Sequence, residues 1–155
     1  MSDQSYLTPE GAEELRRELD KLIKVRRPEL ARKLKEAVAQ GDLKENADYH
    51  DAKEQLGFVE GRIQYLENLL RSATIIEANG SSDVVRLGSE VTIREDGADE
   101  DETYMIVGAA EANPREGKIS HESPIGAALL GLKKGAKVRV QTPGGEVEFK
   151  ICAIR

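Results

Sequence analysis

The sequence has few of the residues that build cross-linked, membrane-bound or aromatic-rich proteins. Of its 155 residues, one is cysteine (Cys152), two are phenylalanine, four are tyrosine and none is tryptophan. A single cysteine excludes a disulfide within the chain and indicates a reducing compartment. A long apolar run is also missing, so the sequence predicts neither a signal peptide nor a membrane span. We expect a cytoplasmic protein that makes no contact with a membrane.

An excess of positive charge is missing as well. Lysine and arginine number 23 against 29 aspartates and glutamates, for a net charge of -6. Proteins that attract nucleic acid by general electrostatics are usually basic, so the sequence argues against this class. His50 and His121 have no second ligand at helical spacing, which argues against a zinc site. The acidic run between Glu95 and Glu102 lacks the spacing of a calcium loop and predicts a solvated turn.

The first apolar pattern predicts a long helix. Thr8 suits the N-cap, Pro9 suits the first helical position, and Glu10 suits the positive end of the helix dipole. The apolar residues that follow at helical spacing are Leu15, Leu19, Leu22, Ile23, Leu30, Leu34, Ala37 and Val38. Pro28 removes a backbone hydrogen bond, which predicts a kink near Val25 but no break, because the apolar stripe continues beyond it. Gly41 is a natural terminator.

The second apolar pattern is a heptad seam with alternating spacings of three and four. Its members are Tyr49, Ala52, Leu56, Val59, Ile63, Leu66, Leu70 and Ala73. Only a few residues separate the two patterns, so they predict an antiparallel coiled-coil hairpin with the connection at its free end. A parallel homodimer through the second seam is the alternative, but it would leave the first stripe without a partner.

The remaining sequence predicts a second, smaller domain. A turn-rich break at Asn79–Asp83 precedes short strand-like runs and one helix capped by Ser123. The runs are 90–94, 103–107, 118–120, 137–141 and 146–154, and the helix is 124–130. We therefore predict an α+β chain: a hairpin over residues 1–77, a linker over 78–84, and an antiparallel-sheet domain with one short helix over 85–155.

Two acids stand at the connection between the helices. Asp42 and Glu45 follow Gly41 and precede the second helical pattern. Two carboxylates are too few for a complete metal site, but they can complete one shared with another molecule, since Mg²⁺ is held by one or two carboxylates plus phosphate oxygens. Asp-x-x-Glu before an apolar run is also a capping-box pattern, and both roles can coexist. The neighbouring Asp48 and Asp51 suit the first helical turn.

Several motifs together resemble the bacterial Gre transcript cleavage factors. The stretch Gly41–Tyr49 is similar to the tip signature of that family. Further matches follow in family order over essentially the whole chain: 7–11, 26–29, 58–63, 119–130 and 142–149. Leu43, Lys44 and the residues 50–57 favour the GreA branch.

The resemblance implies a function in transcription elongation. In the family, the hairpin enters the secondary channel of RNA polymerase and the C-terminal domain, similar in fold to FKBP isomerases, docks at the channel rim. The tip acids, here Asp42 and Glu45, then help the polymerase cut the 3′ end of a backtracked RNA through a shared Mg²⁺. We expect no cofactor on the isolated chain, a monomer, and a factor that stimulates the polymerase without being an enzyme itself.

The resemblance also assigns two contact regions, each with an ordinary structural explanation beside it. A basic patch of the hairpin faces the RNA, which here points to Arg32, Lys33 and Lys35. Charge runs of this kind are usually solvated helix faces. The polymerase-docking corner corresponds to Glu122, Ser123 and Pro124, which also have the sequence of a plain helix start.

Three other functions are possible at this stage. A non-catalytic occupant of the same channel would use the same scaffold, although the intact acids argue against it. A peptidyl-prolyl isomerase would need an apolar pocket, and residues 78–155 contain only Tyr104 and Phe149 as aromatics. A standalone nuclease would leave Mg²⁺ with too few protein ligands.

Overall fold

The computed structural model describes residues 5–76 and 83–155. The chain divides into two compact units, one formed by Ala12–Ser72 and the other by Met1–Gly11 with Ala73–Arg155. The predicted linker lies outside the described residues up to residue 82, and Val84 at its end already forms a β-bridge with Lys133. No helix in the described ranges is long and apolar enough to cross a membrane.

The first unit is the predicted helical hairpin. Its first arm consists of α1 (Pro9–Lys21), a π-helical turn (Leu22–Arg26) and α2 (Arg27–Ala39), and its second arm is α3 (Ala47–Ser72). The two arms pack through apolar residues at the spacing that the sequence predicts. The buried residues include Leu15, Leu30, Ala37, Ala52, Val59, Ile63, Leu66 and Leu69. Because α2 covers the seam of α3 within one chain, the structure has the hairpin and not the parallel dimer.

The seam departs from the heptad prediction at both of its ends. Tyr49 is only partly buried, and near the base Leu69 is buried where the heptad placed Leu70. An undistorted helix has 3.6 residues per turn, so a strict 3.5-residue repeat drifts around it over several turns. In the first arm, Val38 is exposed although it continues the predicted stripe.

Three arginines cross-link the arms and fix their antiparallel register. The Arg26 guanidinium donates to Gln55 Oε1 at 2.6 Å. Arg27 binds both carboxylate oxygens of Glu60, at 2.7 and 2.9 Å. Arg62 binds both oxygens of Glu18, at 2.9 and 2.9 Å. Glu18, the earliest of these residues on the first arm, pairs with Arg62, the latest on α3, as expected for antiparallel helices. A bidentate arginine–carboxylate pair favours one register of the two helices, although exposed ion pairs contribute little stability.

The π-helical turn lies where the sequence predicts a kink, just before Pro28. The Arg27 N–H bonds the carbonyl of Leu22, five residues earlier, instead of the usual four. Pro28 has no N–H and donates no backbone hydrogen bond in either an α-helix or a π-helix. Widening the turn before it therefore loses no hydrogen bond at this residue. The helix therefore continues through this point, as expected, and Val25 within the turn is exposed.

The second unit contains a five-stranded sheet made of β3 (Glu90–Glu95), β4 (Glu102–Val107), β5 (Lys118–Ser120), β6 (Lys137–Thr142) and β7 (Gly145–Ile154). Their order across the sheet is β5-β4-β3-β7-β6. All neighbours are antiparallel except β4 and β5, which run parallel. The antiparallel prediction is therefore wrong for this pair. The connection 108–117 includes two 3₁₀ turns and returns the chain to the start of β4, which a tight hairpin would not do.

Alternation along the strands places the core on one face of this sheet. Val91 and Ile93 of β3 are fully buried, and helix α4 (Pro124–Leu129) adds Leu129. The remaining buried members of the cluster are Val85, Ile106, Ile119, Val140, Phe149 and Ile151. The predicted turns are present: Ala98 N–H bonds the Glu95 carbonyl, and Thr142 pairs with Gly145 across a two-residue loop.

The start of α1 is fastened within the second unit. Strand β1 (Tyr6–Leu7) pairs in parallel with β2 (Thr74–Ile75). Thr8, only 5% exposed, caps α1 as predicted, since its Oγ1 accepts from Gly11 N–H at 3.0 Å. The Glu111 carboxylate accepts from both Thr8 N–H, at 2.8 Å, and Thr8 Oγ1, at 2.5 Å. A Cβ on Gly11 would lie 1.6 Å from Glu111 Oε1, so only glycine permits this approach.

Candidate functional site

The tip loop, Gly41–Glu45, begins where α2 ends. Gln40 and Gly41 close the last turn with N–H bonds to the carbonyls of Ala37 and Val38. Gly41 has φ +80°, a left-handed conformation that terminates helices and that glycine adopts without strain. Asp42 follows at φ +40°, and is the one residue other than glycine with positive φ in the described ranges. Aspartate and asparagine tolerate this region better than most residues.

The N-cap of α3 is Asn46, not the capping box predicted from Asp42 and Glu45. Asn46 Oδ1 accepts from Tyr49 N–H at 3.0 Å, which is the bond of a capping side chain. Asn46 Nδ2 donates to the Ala37 carbonyl at 2.7 Å and to the Gly41 carbonyl at 3.4 Å. The capping-box interpretation is wrong because α3 starts at Ala47, which puts Asn46 and not Asp42 directly before the helix.

His50 makes a second connection to the tip loop. Its Nε2 lies 3.2 Å from the Lys44 carbonyl oxygen. A carbonyl can only accept, so the hydrogen bond forms with Nε2 protonated. Tyr49 packs against the His50 ring edge-on, with the centroids 5.3 Å apart. The sequence analysis assigned no role at the tip to Asn46 or His50. Asparagine directly before a helical run was the signal that could have identified the cap.

The tip acids, Asp42 and Glu45, are exposed and have no partner of their own. Among the residues that the structure describes, neither carboxylate makes a hydrogen bond or an ion pair. Both line an open cavity of about 330 Å³ together with Asn46 and Asp48. Asp48 lies in the first turn of α3, as predicted for a dipole partner, and Asp51 accepts from Gln55 at 2.7 Å. The sequence-predicted pair is therefore together at the tip and free to bind.

The tip offers two potential ligands for a metal ion, the carboxylates of Asp42 and Glu45. Within residues 5–76 and 83–155, no group of three or more His, Cys, Asp or Glu could hold a metal ion. Two carboxylates with no internal partner match the usual protein share in a Mg²⁺ site completed by phosphate and water. A stable site would therefore need ligands from another molecule.

The three basic residues predicted to face RNA do not form one patch. Arg32 and Lys35, three residues apart, project from the same side of α2 and are exposed. Lys33 instead lines a groove of about 300 Å³ between α2 and α3, with Ala37 and Ala52 among the other lining residues. Its Nζ lies 3.6 Å from Glu29 Oε1. The small side chains of the two alanines leave the space for this groove.

The predicted docking corner is a regular helix start. Ser123 Oγ accepts from Gly126 N–H at 3.0 Å and donates to the Ser120 carbonyl at 2.7 Å. Pro124 occupies the first turn of α4. Ser123 is therefore used within the fold, whereas Pro124 and the Glu122 side chain are exposed. Of the three residues, Glu122 is the one whose side chain can change without altering the helix cap.

Comparison with known proteins assigns both parts of the chain. Residues 5–75 match the family model "Transcription elongation factor, N-terminal", and residues 80–155 match "Transcription elongation factor, GreA/GreB, C-term". These two models describe the successive parts of a single class of protein, the transcription elongation factors of the GreA/GreB type.

Individual relatives narrow the class. A GreA from Bacillus velezensis is 51% identical over 148 residues, which cover 96% of this chain and 94% of that protein. A GreA from Roseiflexus castenholzii is 48% identical over 157 aligned positions, with 100% of both chains covered. The crystal structure of GreA factor homolog 1 from Thermus thermophilus is 33% identical, covers 98% of this chain and 99% of that one, and has a TM-score of 0.46. The chain belongs to the GreA family of transcription elongation factors.

Proposed function

We propose that this elongation factor inserts its hairpin into the secondary channel of bacterial RNA polymerase and stimulates cleavage of backtracked RNA. Family membership supports action on the transcription machinery. In this proposal the chain is not an enzyme alone. It contributes Asp42 and Glu45 to the active site of the polymerase, which binds the RNA and carries out the cleavage.

The observation that carries the proposal is that the tip acids have no structural task. Asn46 caps α3, and neither acid has a partner among the described residues. The exposed carboxylates of Asp42 and Glu45 are not needed to end α2 or to begin α3. Their availability is what a residue pair needs if it is to complete a site on another molecule.

Mg²⁺ held between these carboxylates and the polymerase would place positive charge beside the scissile phosphate and make its bound water more acidic. Asp42 and Glu45 are hard, anionic ligands for that ion. A carboxylate oxygen that does not bind the ion can accept a hydrogen bond from the attacking water and orient it. In the hydrolysis, the water loses a proton as its oxygen bonds to phosphorus, the bond from phosphorus to the 3′ oxygen breaks, and that oxygen takes up a proton, so no net proton is consumed in this exchange.

Two further contacts belong to the same proposal. Arg32 and Lys35 share an exposed side of α2 and can reach RNA phosphates, which bind Lys and Arg without sequence preference. Lys33, in the groove beside α3, is the weakest member of the predicted patch. The corner formed by Glu122, Ser123 and Pro124 would dock at the channel rim, with Glu122 as the exposed charge.

The test uses stalled, backtracked polymerase complexes, Mg²⁺ and separation of the RNA on a gel. The parent should accelerate cleavage, and Asp42→Asn and Glu45→Gln should each lose most of the stimulation while occupying the polymerase normally. Asparagine tolerates the positive φ of Asp42, and neither change touches the Asn46 cap, so the fold should be retained. Higher Mg²⁺ should restore part of the lost rate.

Two results would contradict the proposal. If the parent occupies the channel but does not accelerate cleavage, the protein is a non-catalytic occupant. If the double variant Asp42→Asn/Glu45→Gln cleaves like the parent at limiting Mg²⁺, the tip acids do not supply the chemistry. A charge-neutralising control on the same helix end is Asp48→Asn, which should cost less than either tip variant because Asp48 is a first-turn residue of α3.

A further inference from the structure

The tip loop is held at two carbonyls by side chains from the start of α3. Asn46 Nδ2 donates to the Gly41 carbonyl at 3.4 Å and to the Ala37 carbonyl at 2.7 Å. His50 Nε2 bonds the Lys44 carbonyl at 3.2 Å. These bonds tie the last turn of α2 and both ends of the loop to a single helical turn.

The two held carbonyls directly precede the two acids. Asp42 follows Gly41, and Glu45 follows Lys44. Residues 41–45 are all exposed, so no apolar packing fixes the loop. Gly41 at φ +80° has more conformational freedom than any other residue type would have. The direction in which each carboxylate leaves the backbone therefore depends on the hydrogen bonds of Asn46 and His50.

Asn46 carries more of this task than His50. Through three hydrogen bonds it joins the end of α2, the start of the tip loop and the first turn of α3. A shared ion needs both carboxylates at a fixed separation, and displacement of a reacting group by about 1 Å can cost about a hundredfold in rate. A side chain that fixes the loop without touching the ion can therefore control the rate.

We propose that Asn46 is a positioning residue for the tip acids, in addition to being a helix cap, and that His50 supports it at Lys44. This inference rests on the proposed function, because it concerns how well Asp42 and Glu45 are presented to the polymerase. In this proposal the amide Nδ2 of Asn46 positions the tip loop, whereas its Oδ1 caps α3.

The two roles of Asn46 can be separated by substitution. Serine and aspartate are both good N-caps, so Asn46→Ser and Asn46→Asp keep an acceptor for Tyr49 N–H. Ionised aspartate has no donor, and serine has a single hydroxyl hydrogen on a shorter side chain, so neither reproduces the two amide bonds to the Ala37 and Gly41 carbonyls. Asn46→Ser adds no charge, so agreement between the two variants excludes an effect of the new carboxylate. Ala47→Gly is the matched control, since it weakens the start of α3 and leaves every Asn46 bond in place.

The experiment measures RNA cleavage in backtracked polymerase complexes with the full chain, as a function of factor and of Mg²⁺ concentration. Both Asn46 variants should lower the maximal rate by about tenfold. The half-saturating factor concentration should stay within about twofold, since the contacts that seat the hairpin are intact. The half-saturating Mg²⁺ concentration should rise, because misplaced carboxylates bind the ion less well. Ala47→Gly should leave all three quantities near those of the parent.

Each result decides between the roles. Maximal rates equal to the parent, or an unchanged Mg²⁺ dependence, would overturn the positioning role while leaving the proposed function intact. A loss of the same size in Ala47→Gly would assign the effect to fraying of α3 and would also overturn it. If the parent itself fails to stimulate cleavage, the proposed function fails, and the role of Asn46 in it fails as well.

Discussion

Replacement of Glu111 tests whether one carboxylate fastens the start of the first helix. In the folded chain this side chain accepts from the backbone N–H and the Oγ1 of Thr8, which is 5% exposed. Glu111→Ala removes both acceptors and leaves a buried N–H without a partner. The hydroxyl keeps its bond from Gly11 N–H, so the cap itself remains.

The expected loss follows from the number and type of bonds. A hydrogen bond to a charged group contributes about 1.5–3 kcal/mol, and an orphaned buried donor costs about 1–3 kcal/mol. Water can enter the space that the shortened side chain leaves, which offsets part of this. We expect Glu111→Ala to lower the free energy of unfolding by about 2–4 kcal/mol. Glu111→Gln keeps one acceptor oxygen and should lose about half as much.

Urea-induced unfolding, followed by far-UV circular dichroism, measures the difference. Glu116→Ala is the matched control, because its carboxylate is exposed and lies 3.8 Å from Lys118 Nζ. That variant should stay within about 0.5 kcal/mol of the parent. A Glu111→Ala variant as stable as the Glu116→Ala control would refute the reasoning, since it would mean that the Thr8 donors find water at no cost.

Four more predictions concern single residues elsewhere in the chain. Gly61→Ala should stabilise α3 by about 0.5–1 kcal/mol, because the new Cβ would point into open space beside the helix. Gly126→Ala should destabilise the folded chain by about 1–3 kcal/mol, because its Cβ would lie 2.0 Å from the Ser120 carbonyl oxygen. If the thermal unfolding temperatures of the two glycine variants shift in the same direction, one of these two predictions is wrong. The hydrogen bond to Glu102, assisted by burial and the charge of Glu102, raises the pKa of Tyr104 to about 12. The contribution of this hydrogen bond to the free energy of unfolding should be complete below about pH 10, the pKa of tyrosine in the unfolded chain. It should disappear as the pH rises to about 12. Glu102→Ala should move the ultraviolet titration of Tyr104 back toward pH 10, and an unmoved titration would count against the bond. Glu122→Lys should weaken polymerase binding severalfold and leave thermal stability unchanged; equal binding in a competition assay would remove Glu122 from the docking surface.

Local patterns were sufficient to predict most of the elements. The five main strands and α4 lie within one or two residues of their predicted bounds, because alternating β-branched residues and turn glycines act over short distances. The hairpin was predictable for the same reason: its stripe and seam repeat over many turns. The Thr8 cap and the continuity of the helix through Pro28 are likewise local effects.

Features that depend on three-dimensional contacts were not predictable in this way. The pairing of Tyr6–Leu7 with Thr74–Ile75 joins two-residue strands that are far apart in sequence and have no pattern of their own. The parallel pairing of β4 with β5 depends on how the connection folds back. At the tip, the position of the acids was predicted, but their freedom from capping depended on where α3 begins.

The hydrogen bonds of Asn46 between α2 and α3 also have a consequence for how the chain folds. The Asn46 bonds connect Ala37 to Tyr49, so the hairpin can close first at its tip, where the entropy lost in closing a loop is small. Closure can then proceed residue by residue down the seam, through contacts that lie progressively farther apart in sequence. Only when it reaches the base do the chain segments before α1 and after α3 come close enough for Tyr6–Leu7 to pair with Thr74–Ile75. We therefore expect the short parallel pair to form late, and the loop that is proposed to meet the polymerase to be the place where the order of the hairpin begins.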